Sequence, residues 1–107
     1  MMPTKPVAII VLVSLLIFPA AAQDLTVEEV AGVLETIDYG TRVCDYETRW
    51  GLMTAHTIDW ADHFGISPIA MKDEMRAANA DIRSLAAADL PSFCQMAKGL
   101  AIKLDMI

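Results

Sequence analysis

"PIAMKDEMRAANADIRSLAA" runs from Pro68 to Ala87, and its reading decides the fold. Its apolar residues Met71, Met75, Ala78, Ile82 and Leu85 follow one another at steps of 4, 3, 4 and 3. That is the narrow stripe of a helix laid along another helix. Asp73, Arg76, Ala80 and Arg83 fall on the opposite side. Ser67 and Pro68 supply an N-cap and a first-turn proline just ahead of the stripe. Such a helix cannot bury its stripe alone, so its partners must come from the rest of the chain.

Downstream, "ADLPSF" (88–93) makes a turn and opens a last helix near Pro91. Leu90, Phe93, Ala97, Leu100, Ala101 and Leu104 form its expected buried face, with Cys94 at the flank. Upstream, "LTVEE" (25–29) sets Thr26 as N-cap with Glu29 three residues on, a capping box. Leu25 and Val30 stand at hydrophobic-staple spacing, and Val27, Val30, Val33, Leu34 and Ile37 keep helical period. Gly40 is expected to end this first helix in a left-handed conformation. A second helix is expected over about Thr41 to Phe64, with Val43, Tyr46, Trp50, Met53, Thr57, Trp60, Ala61 and Phe64 on one buried stripe. Gly51 would weaken or kink it, and Gly65 would cap its end. No segment alternates with period 2 over a useful length. The reading is all-α, a small disulfide-stapled bundle of three to four helices.

The N-terminus carries an address. Lys5 precedes the run "VAIIVLVSLLIF" (7–18), then Pro19 and three alanines at 20–22, the layout of a cleaved secretory signal peptide. The apolar run is about 12 residues, shorter than the roughly 20 a helix needs to cross a bilayer. Residues 1–22 are therefore expected to be removed, leaving Gln23–Ile107 (23–107) as a single helical domain in the periplasm or secreted beyond it. An uncleaved membrane anchor is the competing reading. The remaining 85 residues hold seven Lys/Arg against 14 Asp/Glu, a formal charge of −7. They stay about half hydrophobic, so this is no disordered acidic tail. The acidic balance disfavours nucleic acid and anionic membrane surfaces and leaves a protein as the expected partner.

A core of this size is marginal, and small exported domains often carry a covalent staple. Cys44 and Cys94, the only two cysteines, are expected to supply it. Neither the C-x-x-C spacing of a redox pair nor a further ligand pattern for a thiolate metal site accompanies them. The staple is expected to tie the second helix to the last.

Both histidines of the chain lie in "HTIDWADH" (56–63). His56, Asp59 and His63 are ligand types for zinc, copper or nickel and share one helix face. That face lies opposite the aromatic stripe, so solvated side chains are the preferred reading and weak metal or small-ligand carriage the alternative. Asp59, Asp62 and His63 offer acid–base groups without a cleft to perturb them. Ser67, Ser84 and Ser92 lack a nucleophile-elbow context. The chain is therefore expected not to be an enzyme, and no cofactor is implied. Met71 and Met75 read as core filler rather than soft copper ligands. Met96, Ile102 and Met106 are expected to form a modest exposed apolar strip, a candidate partner surface. Tyr46, Trp50, Trp60 and Phe64 are weighed between core and the lining of a ligand pocket, with core preferred.

The function these features suggest is protein binding by a small exported helical protein, chaperone-, inhibitor- or adaptor-like. A minor subunit of a cell-envelope complex is a further alternative. In size and cysteine spacing the chain is similar to the periplasmic acid-stress chaperones, with which it shares no specific motif.

Overall fold

Four helices follow one another in the computed structural model, which describes residues 25–107. They are α1 (Val27–Val43), α2 (Leu52–Phe64), α3 (Pro68–Ala88) and α4 (Leu90–Lys103), with no strand among the described residues. The signal-peptide reading of residues 1–22 lies outside them. No helix among the described residues is long and apolar enough to cross a membrane.

The capping box at the start of α1 forms in both directions. The Thr26 N–H donates to Glu29 Oε1 at 2.8 Å, and the Glu29 N–H donates to Thr26 Oγ1 at 3.2 Å. Leu25 and Val30 join the same apolar cluster, as the staple spacing requires. α1 is the hub of the bundle. It packs most heavily on α3, then on α4 and α2, while α2 and α4 barely touch. Leu34, Thr36 and Ile37 of α1 are fully buried, and so are Met71 of α3 and Leu100 of α4. The α3 stripe works as its spacing demands. Met71, Met75 and Ile82 are buried, Ala78 and Leu85 are half-buried, and the four opposite residues are exposed.

The segment after α1 departs from expectation. Gly40 does not end the first helix but lies inside it, and α1 continues to Val43. The reason is steric. A Cβ at Gly40 would sit 2.9 Å from Tyr46 Cζ and 3.0 Å from Ala97 Cβ, so the glycine is a notch for the tyrosine ring. Residues 44–51 are then non-helical, and the expected helix from Thr41 shrinks to Leu52–Phe64. Gly51 takes φ +82° and ψ −12°, the third position of a type II turn, as the Leu52 N–H reaches Arg49 O at 3.2 Å. A continuous helix would need right-handed backbone there. The disulfide consequently joins the end of α1, not the second helix, to the second turn of α4. The Cys44 and Cys94 Cα atoms lie 5.5 Å apart, in the usual range for a bridged pair.

Two helix ends close by the same device. The Gly65 N–H donates to Asp62 O and the Ile66 N–H to Ala61 O, a Schellman motif with glycine at the left-handed position. At the end of α4 the Asp105 N–H donates to Ile102 O and the Met106 N–H to Ala101 O. Here Asp105, at φ +58°, takes the role of the glycine. The turn folds Met106 back into the core, where it is fully buried. At the other end of α4 Leu90, expected on the buried face, is 43% exposed because it is the first residue of the helix.

Candidate functional site

The expected histidine face exists, but its parts stand apart. His56 and His63 are seven residues along one helix, about 10 Å of rise. Asp59 and His63 are exposed and His56 is half-buried. The His63 ring meets Trp60 edge-on at 5.4 Å and Phe64 at 5.0 Å. No group of three His, Cys, Asp or Glu is placed to hold a metal ion among the described residues.

The four aromatic residues separate into three environments. Trp60 and Phe64 stack at 5.9 Å against Val30, Ala31, Leu34, Met71 and Met75. Tyr46 packs elsewhere, beside Ile37, Phe93 and Ala97. Its hydroxyl donates to Ile37 O at 2.8 Å. Burial, with the Asp38 carboxylate adding to it, pushes the Tyr46 phenol up to about 12. Trp50 is 99% exposed. The four therefore line no common pocket, because the break at 44–51 rotates Tyr46 and Trp50 away from α2. The expected strip on α4 is corrected as well. Ile102 is exposed and Met96 half-buried, but the Schellman turn removes Met106 from the surface.

What the fold does assemble is a surface around Trp50. An open groove of about 580 Å³ is lined by Arg49, Trp50, Leu52, His56, Leu104 and Asp105. Its floor joins the start of α2 to the end of α4, two helices with almost no other contact. The joint is a clamp. The Arg49 N–H donates to Met106 O at 2.7 Å. The Arg49 guanidinium donates to Asp105 O and pairs with its carboxylate at 3.1 Å. Three ties thus hold the 44–51 segment: the disulfide at its first residue, the Tyr46 hydroxyl in its middle and the Arg49 clamp near its end. Trp50 projects from a fixed turn. Of the residues lining the groove, Trp50, His56 and Leu104 had stood out in sequence, each for a different expected role. Arg49 and Asp105 are 56 residues apart, and no local pattern links them.

A second feature without a sequence signal lies at the α1–α3 interface. Glu35 is 7% exposed, and its Oε2 accepts from Asn79 Nδ2 at 2.6 Å. Burial raises its carboxyl above the ordinary glutamate value, and the Asn79 hydrogen bond opposes that rise. The Asp38 carboxylate adds to the rise and Arg42 opposes it.

Compared with known protein families, characterised proteins and solved structures, the chain matches none.

Proposed function

We propose that this chain is a small exported protein, periplasmic or secreted, that acts by binding another protein and not by catalysis. The observation that carries the reading is Trp50, almost wholly exposed on a clamped turn beside an open groove. A large indole held in water is costly unless something covers it. Burying it in a partner is worth on the order of 2–4 kcal/mol, the range of an interface hot spot. Arg49, its neighbour, is the other residue type enriched at such centres. The three ties on the segment lower the ordering cost of association, because the turn is already fixed. The groove holds one cation and one anion already paired, so the indole and the flanking Leu52 and Leu104 provide the attraction. With a net charge of −6 over the whole chain, the partner it suits is a neutral-to-basic polypeptide offering an apolar pocket.

Export is supported by the leader-like sequence of residues 1–22 and by the disulfide, which persists in oxidising compartments. A chaperone-like, inhibitor-like or adaptor-like role would all use the same surface.

The test replaces residue 50 with a photo-crosslinking amino acid in the full chain, expressed in a cell with an envelope. The expected result is processing to a mature chain that starts at Gln23 and a discrete crosslinked protein from position 50. A crosslinker at Ile69, another exposed apolar residue, should give none. The complex purified without crosslinking should be lost on Trp50→Ala. Equal crosslinking from both positions, or a complex indifferent to Trp50→Ala, would defeat the binding reading. An unprocessed cytoplasmic chain would defeat export. Protection of an aggregating client at pH 7 and pH 3 separates a chaperone from an inhibitor or adaptor.

A further inference from the structure

We propose, building on the protein-binding reading of Trp50, that residues 45–49 are a docking strand that pairs with an open β-sheet edge of the partner. Cys44 turns the chain out of α1 into extended backbone, at φ −115° and ψ 172°. From there side-chain exposure alternates. Asp45, Glu47 and Arg49 are exposed, while Tyr46 and Thr48 are half-buried. That is the period-2 pattern of a strand, in a molecule with no strand among the described residues to pair with it. Its main chain is unused. Among the described residues, the N–H groups of Asp45, Tyr46, Glu47, Thr48 and Trp50 donate to nothing, and that of Arg49 donates to Met106 O at 2.7 Å. In extended backbone the N–H and C=O groups of successive residues point to opposite lateral edges. The Arg49 bond therefore turns the edge shared with Asp45 and Glu47 towards the C-terminal turn. The other edge, with the N–H and C=O groups of Tyr46 and Thr48, is open.

The side chains indicate which sheet edge fits. Asp45 and Glu47 stand outward, and no ion pair engages either of them among the described residues. Sheet edges in proteins commonly carry lysines that keep other strands away. Opposite charges facing one another across paired strands attract, and like charges repel. An acidic docking strand therefore selects an edge guarded by basic residues. Main-chain hydrogen bonds supply affinity in this mode of recognition, and pockets for side chains supply specificity. Trp50, directly after the strand and 99% exposed, is the side chain placed to fill such a pocket at the end of the edge. The disulfide at Cys44 and the Tyr46 hydroxyl bond to Ile37 O hold the strand in place, so little ordering remains to be done on pairing.

The test uses nitrogen-15 NMR on the exported, oxidised chain. The probe is a cyclic β-hairpin peptide whose open edge alternates lysine and valine, and the same hairpin with glutamate for lysine is the control. The lysine hairpin is expected to slow exchange of the Tyr46 and Thr48 amides and to leave those of Asp45 and Glu47 unchanged. Glu47→Lys should weaken its binding about fivefold, and the glutamate hairpin should not bind. In cells, Thr48→Pro removes an open-edge N–H and should abolish the complex captured through position 50, whereas Thr48→Ala should keep it. Melting temperatures show whether both variants fold, and Glu47→Lys takes the place of a Thr48→Pro chain that does not. Unprotected Tyr46 and Thr48 amides, or equal binding of the two hairpins, would overturn the docking strand. A folded Thr48→Pro variant that keeps the complex would overturn it too, and would leave the Trp50 reading standing. A chain that forms no complex through position 50 defeats that reading instead, while the hairpin still judges the strand.

Discussion

The segments on the two sides of Gly51 look alike in sequence and are held in opposite ways. Residues 44–51 have no regular structure, yet a disulfide, a buried-side tyrosine hydrogen bond and the Arg49 clamp fix them to α1, α4 and the C-terminal turn. Residues 52–64 form a regular helix, yet only Thr57 and Ala61 of that helix are buried. Regular backbone and tertiary anchorage are thus separate properties. The irregular segment is the better anchored one because its ties reach three separate places: α4, α1 and the C-terminal turn. α2 rests on a single face.

The strongest way to break this contrast is to remove the covalent tie. Closing a loop of 50 residues is worth about 4 kcal/mol in the chain-entropy view. Cys44→Ser with Cys94→Ser should therefore lower the melting temperature by tens of degrees, because a helical domain this small has little stability in reserve. Differential scanning calorimetry of the double variant checks it. A loss of only a few degrees would mean that the noncovalent ties hold the segment on their own.

Gly40→Ala attacks the same segment from beneath. The new methyl meets the Tyr46 ring and Ala97, and overpacking of this kind costs about 1–3 kcal/mol. Urea denaturation should show the midpoint fall. An unchanged midpoint would show that Tyr46 can leave its notch freely.

That notch also explains what was legible in the sequence and what was not. The α3 stripe, the Thr26 capping box, Ser67-Pro68 and the Gly65 cap are local, and each could be read because its partners lie within four residues. The Cys44–Cys94 pairing was legible because no other cysteines compete. The helix break at 44–51 was not, since Val43, Tyr46 and Trp50 keep helical spacing with α2 by coincidence. What overrides the spacing is long-range: Tyr46 reaching Ile37 O, Cys44 reaching α4 and Arg49 reaching Asp105. Asp105 in the left-handed position hid the final Schellman turn, and with it the burial of Met106. Glu35 was hidden because α1 is covered on most sides, so a charge that suits a surface helix is enclosed. The Trp50 surface depends on these long-range ties, so Trp50, His56 and Leu104 were visible singly but their meeting was not.

A gentler test removes one hydrogen bond. Tyr46→Phe should cost about 1 kcal/mol at neutral pH, since the hydroxyl's hydrogen bond to Ile37 O is lost. The pH dependence sharpens this. With the phenol pushed up to about 12, its contribution is fully present below the ordinary tyrosine value and fades as pH rises through that higher value. Chemical denaturation between pH 8 and pH 12 should show the gap between wild type and Tyr46→Phe shrinking and then reversing. A constant gap would mean that the phenol is not buried enough to feel its ionisation.

Amide hydrogen exchange reads the contrast without any substitution. Exchange protection follows burial and tertiary anchorage more than helical content. The Arg49 amide, which donates to Met106 O in the clamp, and the Met106 amide, which donates to Ala101 O in the turn that ends α4, are expected to exchange more slowly than the exposed-face amides of α2. If α2 outlasts them, the helix is the better-held element and the comparison inverts.

The smallest expected effect on stability belongs to Trp50 itself. A side chain 99% exposed has almost no contact to lose, so Trp50→Ala should leave the folding free energy within about 0.5 kcal/mol of wild type. Such a result is informative because of where the residue sits. The same backbone is held by the disulfide, by Tyr46 and by Arg49, and none of these ties passes through the indole. Paired urea melts of wild type and Trp50→Ala check stability, and retention of the proposed partner complex checks binding. A variant equally stable but unable to bind would separate the fixed turn from the group it presents. A variant that melts markedly earlier would show that the indole folds back onto Leu52 and Leu104 and belongs to the clamp.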